Sequence, residues 1–252
     1  MIVNPTDEGW DIVFQPAHGL LAAKLASEFA EDRRCPFWLE TVTAIATHDD
    51  GQVAFQPGDR RYLTQAGAPK DFTAVELSAE QRYEKTRDCL ENAYRKHRWT
   101  GLLESQHAEF LYGEKDAASD SLKELLANER QHREHVLDEL ELDRDDLQIA
   151  YDIMRWCDRC SLILCQDRIP SIGRNLEVIT FANGTRVDLS QDDSGNLRIN
   201  PWLFGTAKFE ATVEVHRLTR LAFEDDEQLE QALRDCTTHV RRYEFERSVE
   251  MP

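Results

Sequence analysis

Apolar positions recur at helical spacing through most of the first 170 residues and at every second residue thereafter, with one short exception at the start of the chain. That exception predicts a hairpin: Met1 to Asn4, a turn over Pro5 to Gly9, then Trp10, Ile12 and Phe14 alternating with Asp11, Val13 and Gln15. Pro16 starts a predicted helix that runs through His18 to about Ala30, with Leu21, Ala22, Leu25, Ala26 and Phe29 at helical spacing. A second helix is predicted from about Pro36 to Asp49, with Gly51 as its stop. Residues 52–76 contain Pro57, Gly58, Gly67 and Pro69 and little periodicity, which reads as a long loop able to cover the preceding helix end. Helices are then expected over about Ser78–His97, Trp99–Tyr112, Ser119–Leu140 and Asp143–Gln166.

From Leu176 the period becomes two: LEVITFA, an Asn183-Gly184 turn, TRVDLS, a turn around Gly195, LRINPWLF, and a long alternating run from Phe209 to Phe223. A last helix is expected over about Asp226–Arg242. An isolated hairpin is marginal in water, and the only other strands are C-terminal, so the two ends of the chain should share a sheet. The expected fold is therefore a single α+β domain over residues 1–252. It has a mainly helical core over about 16–170 and a strand-rich extension over about 171–252, which packs with strands 1–15 as a small antiparallel sheet.

Charge narrows the function classes. Lys plus Arg total 30 against 48 Asp plus Glu, a formal net charge of -18, which repels nucleic-acid phosphates and anionic lipid alike. Neither nucleic acid nor membrane is an expected partner, and any phosphate chemistry must depend on a local positive centre. Only 7 of the 30 basic residues are Lys, and this Lys-poor, acid-rich balance suits a cytosol of high salt. The N-terminus carries Asp7, Glu8 and Asp11 where a signal peptide needs a basic start and an apolar core, and no apolar run approaches about 18 residues. A cytoplasmic location is expected. The 6 Cys form no secreted-domain framework and are read as reduced, mostly buried thiols. Oligomeric state stays open.

Four segments place metal-ligand types where a core helix would place apolar ones. His18 stands one turn before the Leu21, Ala22, Leu25 stripe; His48 and Asp49 end the second helix in AIATHDDG; His107 sits in LLESQHAEFL between Leu103 and Phe110. Asp158 shares a helix face with Tyr151, Met154, Ser161, Leu162 and Cys165, where a carboxylate is costly unless paired or bound to a metal. Imidazole and carboxylate together suit a divalent ion among Mn, Fe, Co, Ni, Zn or Mg, and two His with two Asp leave positions for a water and a substrate oxygen. Each residue also has a plain reading as a hydrogen-bonded core group. Cys157, Cys160 and Cys165 contain a CxxC but lack the turn and the second pair of a zinc knuckle. Glu129 and His132 make an ExxH on a stretch charged on all sides, which reads as a solvated helix.

The order His, then His-Asp at a helix end, then a distant Asp in an apolar stripe resembles the HD superfamily of metal-dependent phosphohydrolases. More narrowly, GWDIVFQPAHGLLAAKLA, AIATHDDG, LLESQHAEF, CDRCSLILC and NPWLF, in that order, resemble the domain-of-unknown-function family DUF 3891, itself HD-like in pattern. The resemblance implies an HD-like helical core, His18, His48, Asp49 and Asp158 as metal ligands, and His107 as a supporting or second-metal residue. It implies an enzyme, a metal-dependent hydrolase acting on an unknown phosphate ester or nucleotide, with a small phosphorylated molecule as partner. His107 or Asp50 would orient the water or move a proton. The alternative is a non-catalytic metal- or ligand-binding sensor that keeps the fold.

Overall fold

A computed structural model describes residues 1–51, 55, 58–113 and 119–248; residues 52–54 and 56–57 of the expected long loop lie outside the described residues. The N-terminal hairpin forms as β1 (Ile2–Pro5) and β2 (Trp10–Val13). The helices are α1 (Gln15–Ser27), α2 (Trp38–Thr47), α3 (Ala79–Lys96), α4 (Arg98–Tyr112), α5 (Asp120–Glu139) and α6 (Arg144–Cys165). Their starts follow local chemistry. Ser78 with Gln81 and Asp143 with Asp146 close reciprocal capping boxes on α3 and α6, satisfying N–H groups that the first turn leaves without partners. The C-terminal part supplies β3 (Asn175–Thr180), β4 (Arg186–Gln191), β5 (Leu197–Asn200), β6 (Lys208–Leu218), α7 (Asp226–Asp235) and β7 (Thr237–Glu246).

The sheet corrects the expected fold class. Instead of a mainly helical HD-like core with a small antiparallel sheet, the chain forms an α+β structure whose seven-stranded mixed sheet runs β1-β2-β6-β7-β5-β4-β3. Its middle strand, β7, was expected to be the last two turns of a helix ending near Arg242. The segment instead changes period at Cys236: Thr237, Thr238 and Val240 are β-branched, and Tyr243 and Phe245 are buried at alternate positions. β7 pairs antiparallel with β6 over ten residue pairs and touches β5 in parallel at Leu197 and Phe245. That one parallel contact joins the hairpin side to the β3-β4-β5 meander in a single mixed sheet.

α1 and α6 lie on this sheet and are tied to it by polar groups as well as by packing. Lys24 of α1 donates to the Thr212 carbonyl of β6 at 2.9 Å, and the Tyr243 hydroxyl of β7 donates to the Leu164 carbonyl of α6 at 2.8 Å. Asn4 of β1 donates to the Cys165 carbonyl, and Asp152 of α6 accepts from the Ala182 N–H at the β3-β4 turn. The aromatic residues of NPWLF fill one end of this layer, where Phe204 packs against Phe29, Trp156, Phe209 and Phe245. Cys157, Cys160 and Cys165 are buried free thiols on α6.

α2 then lies across α1 at unusually short range. A Cβ built on Gly19 of α1 would stand 2.7 Å from the Ala46 carbonyl oxygen of α2, closer than real Cβ atoms come. Only glycine permits this approach, and its sequence neighbours on the two helices are His18 and the His48-Asp49 pair. Gly19→Ala should therefore force the helices apart, costing about 1–3 kcal/mol as overpacking does. Urea unfolding of the two proteins measures this. An unchanged midpoint would show that the helices yield freely.

Candidate metal centre

His18 from α1, His48 and Asp49 from the end of α2, and Asp158 from α6 converge on one point. His18 Nε2 lies 3.1 Å from Asp49 Oδ2 and 3.6 Å from Asp158 Oδ1; His48 Nε2 lies 3.8 Å and 3.2 Å from the same two atoms. His18, His48 and Asp49 have ligand atoms all within 4.8 Å of one another; Asp158 adjoins both imidazoles but falls outside that group. The imidazoles pack edge to face with centroids 5.2 Å apart. Their side chains are 0% and 1% exposed, whereas Asp49 and Asp158 keep 20% and 21% open. That exposure faces a cleft of about 540 Å³ also lined by Gln15, Arg82, Lys85 and His107.

The remaining ring nitrogens decide the chemistry. Ser161 gives its only hydroxyl proton to the Asp158 carbonyl at 2.8 Å, so at 2.8 Å from His18 Nδ1 its oxygen acts as acceptor. His48 Nδ1 lies 2.8 Å from the Ile45 carbonyl, which can only accept. Both rings thus donate through Nδ1, and a neutral ring then has a lone pair on Nε2. Two lone pairs face two carboxylates at hydrogen-bond distance. Such a contact is repulsive unless a proton or a cation stands between them.

In the metal-free protein a proton does so at His48. Burial alone would lower its pKa, but the hydrogen bond and charge of Asp158, with Asp49 behind it, outweigh burial and raise it to about 10. The carboxylates respond in kind: burial opposes ionisation, yet the imidazoles hold Asp49 far below, and Asp158 below, the ordinary carboxylate value.

His107 sits beside the quartet, its ring centroid 5.4 Å from that of His48 and its Nδ1 3.4 Å from the Tyr151 hydroxyl. Burial, reinforced by the neighbouring His48 charge, lowers its pKa to about 4, so it is neutral at pH 7. Asp50, expected beside it, is exposed and lines an adjoining cleft instead. It follows Asp49 in the turn after α2 and is not among the residues lining the quartet's cleft.

Sequence reasoning missed three supporting residues. Gln15 donates to Asp49 at 3.3 Å. Ser161 fixes the His18 tautomer. Glu104 is a buried acid in the adjoining cleft, where burial is the largest influence raising its pKa to about 7. Glu104 and His107 stand three apart on α4, an ExxH spacing present in LLESQHAEF and legible there. Gln15 and Ser161 carry no such signal.

The fold and the site follow from runs spread over most of the chain, and the protein-family comparison matches residues 1–220. The chain belongs to the family described as "Protein of unknown function (DUF3891)". No curated protein and no solved structure matches it. Among the described residues, no helix is long and apolar enough to cross a membrane.

The His48 proton gives a direct test of the donor set. Ligation needs the Nε2 lone pair, so metal uptake at pH 7.5 should release about one proton. Calorimetry in buffers of different ionisation enthalpy measures it, and uptake without proton release would remove His48 from the ligands. The metal-free protein should also depend on pH with a defined sign. A folded pKa raised above about 6.5 contributes stability that is complete below that value and is lost as pH rises through about 10.

Proposed function

We propose that this protein is a metal-dependent hydrolase acting on a phosphate ester, with His18, His48, Asp49 and Asp158 holding one divalent ion. The observation that carries the reading is that both Nε2 atoms, left over by the Nδ1 hydrogen bonds to Ser161 and the Ile45 carbonyl, lie 3.1–3.8 Å from the two carboxylates. A metal with bonds of about 2.0–2.2 Å has neighbouring donors about 3.0 Å apart in octahedral and about 3.4 Å apart in tetrahedral geometry. Of the four His-to-Asp separations, 3.1 and 3.2 Å fall between these values and 3.6 and 3.8 Å lie a little above them. The expected HD-like scaffold having been overturned, support for the ion comes from the donor atoms rather than from the fold.

Two imidazoles and two carboxylates suit Mn, Fe, Co, Ni or Zn, and the carboxylate exposure leaves room on the cleft side for a water and a substrate oxygen. Such an ion supplies Lewis acidity and the means to ionise a water near neutral pH. The chain's own groups do the rest. Ser161 and the Ile45 carbonyl hold both imidazoles with Nε2 inward, as hydrogen-bonded outer partners do in metal sites generally. His107, neutral and in the cleft, accepts a proton from the attacking water and passes that proton to the departing oxygen.

His107→Ala should leave bound metal nearly unchanged and lower turnover by roughly 10²–10⁴, the usual scale for acid-base assistance. Elemental analysis of protein purified without a His tag, followed by assays with Mn, Co, Ni, Fe, Zn and Mg at low and high salt, tests both halves. Protein that takes up no metal would sink the reading. Metal-loaded protein that hydrolyses no phosphate ester would make the centre a binding site.

A further inference from the structure

Lys85 is a half-buried cation on α3 that lines the cleft of the quartet and the adjoining one, and among the described residues it makes no ion pair or hydrogen bond. Its stem lies across the backbone of Gly51: a Cβ there would stand 2.9 Å from Lys85 Cε and 2.8 Å from Cys89 Sγ. Glycine after the His-Asp-Asp run thus lets the lysine chain lie close over the end of α2. The Lys85 charge is felt by Asp49, His107 and Tyr112, three residues that line the quartet's cleft. Arg82, one turn earlier on the same helix, lines that cleft as well, while one of its guanidinium nitrogens reaches the Leu77 carbonyl.

An unpaired lysine in a chain with only 7 lysines and a net charge of -18 calls for an anionic ligand. The charge of the centre sharpens the requirement. Two neutral imidazoles and two carboxylates exactly cancel a divalent ion, so a loaded quartet has no net charge with which to attract an anion. Long-range attraction is then left to a charge beside it. Phe72, Phe110 and Tyr112 line the same cleft, and Phe110 is 56% exposed although the Arg155 guanidinium lies over its ring at 4.4 Å.

Resting on the metal-dependent hydrolase reading above, we propose that Lys85 selects the substrate, and that its class is a phosphate monoester with an aromatic or apolar alcohol. A cation beside a centre of no net charge favours the dianion of a monoester over the single charge of a diester. The aromatic lining receives the alcohol. Lys85 here is a specificity-determining residue, separate from the ligands and from His107.

The test compares wild type with Lys85→Ala and Lys85→Arg. Bound metal and Tm are read first, then affinity for inorganic phosphate by calorimetry, then KM and kcat with p-nitrophenyl phosphate, bis-p-nitrophenyl phosphate and 2-glycerophosphate. Lys85→Ala should keep its metal and bind phosphate about 10–100-fold more weakly, the scale of one lost charge-assisted hydrogen bond. KM for the monoester should rise by a similar factor with a smaller change in kcat, and Lys85→Arg should restore part of the loss. Wild type should prefer the aryl monoester to both other esters. Phosphate binding by Lys85→Ala equal to wild type, or a preference for the diester, would overturn the proposal. Should Lys85→Ala fail to fold, Lys85→Gln takes its place in the same measurements. A failure of the metal reading shows separately, as wild type without metal. Phosphate binding by that metal-free protein, lost in Lys85→Ala, would then still support Lys85, and no phosphate binding in either state would refute it.

Discussion

Ser161 and the Ile45 carbonyl each occupy the Nδ1 side of a buried imidazole, and the rest of the centre follows from that constraint. With both Nδ1 atoms engaged as donors, His18 and His48 have only Nε2 to offer, and both Nε2 atoms point at carboxylates. Four groups that each lower the cost of the others are thereby held in one place: without the imidazoles, Asp49 and Asp158 would be largely buried anions without counter-charge. A proton stabilises the arrangement at His48 in the metal-free protein. A divalent ion would stabilise it at both rings at once.

Such convergence demands that three helices stay fixed to within a few tenths of an ångström, which the sheet and one glycine provide. α6 is anchored along its length by contacts from β1, β7 and the β3-β4 turn, and α1 by Lys24 on β6. Among the described residues α2 makes no such bond to the sheet; it is positioned by its approach to Gly19 and by Thr41, whose hydroxyl accepts from the Trp99 indole of α4 at 2.8 Å. The centre therefore sits where two sheet-bound helices meet one that is held mainly by packing. Changes in α2 are where metal affinity and stability should be most closely linked.

What the sequence revealed depended on whether a signal was local. Apolar periodicity located helices α1 to α6 and the hairpins, and a His or Asp in an apolar stripe marked His18, His48 and Asp158, because burial of such groups leaves a visible anomaly. β7 was misread because Leu229, Leu233 and the charged residues between them continue a helical pattern into a segment whose true period is two. Its identity is settled by pairing with β6, thirty residues earlier in the chain. The HD-like scaffold failed for a related reason: the order of ligand residues carries no information about the layer that supports them. Ser161 and Gln15 are invisible in the sequence because a hydroxyl or an amide near a ligand becomes meaningful only with coordinates.

Lys85 was also passed over, and the cause is physical. A lysine on an amphipathic, highly charged helix reads as one more solvated side chain, and α3 is such a helix. What sets it apart is a relation between distant segments: Gly51 leaves its stem a path, Lys85 forms no ion pair among the described residues, and a loaded centre of no net charge leaves long-range attraction of an anion to a neighbouring cation. The surrounding acidic surface strengthens that argument. Over the length of a Debye screening distance, about 8–10 Å at ordinary ionic strength, the net charge of -18 repels a phosphate ester; inside the cleft, Lys85 acts at shorter range and in a less polar medium. High salt weakens the first effect more than the second. Recognition built this way gains from the saline conditions that the Lys-poor, acid-rich composition suits, since screening removes the repulsion outside while the half-buried lysine keeps its hold within.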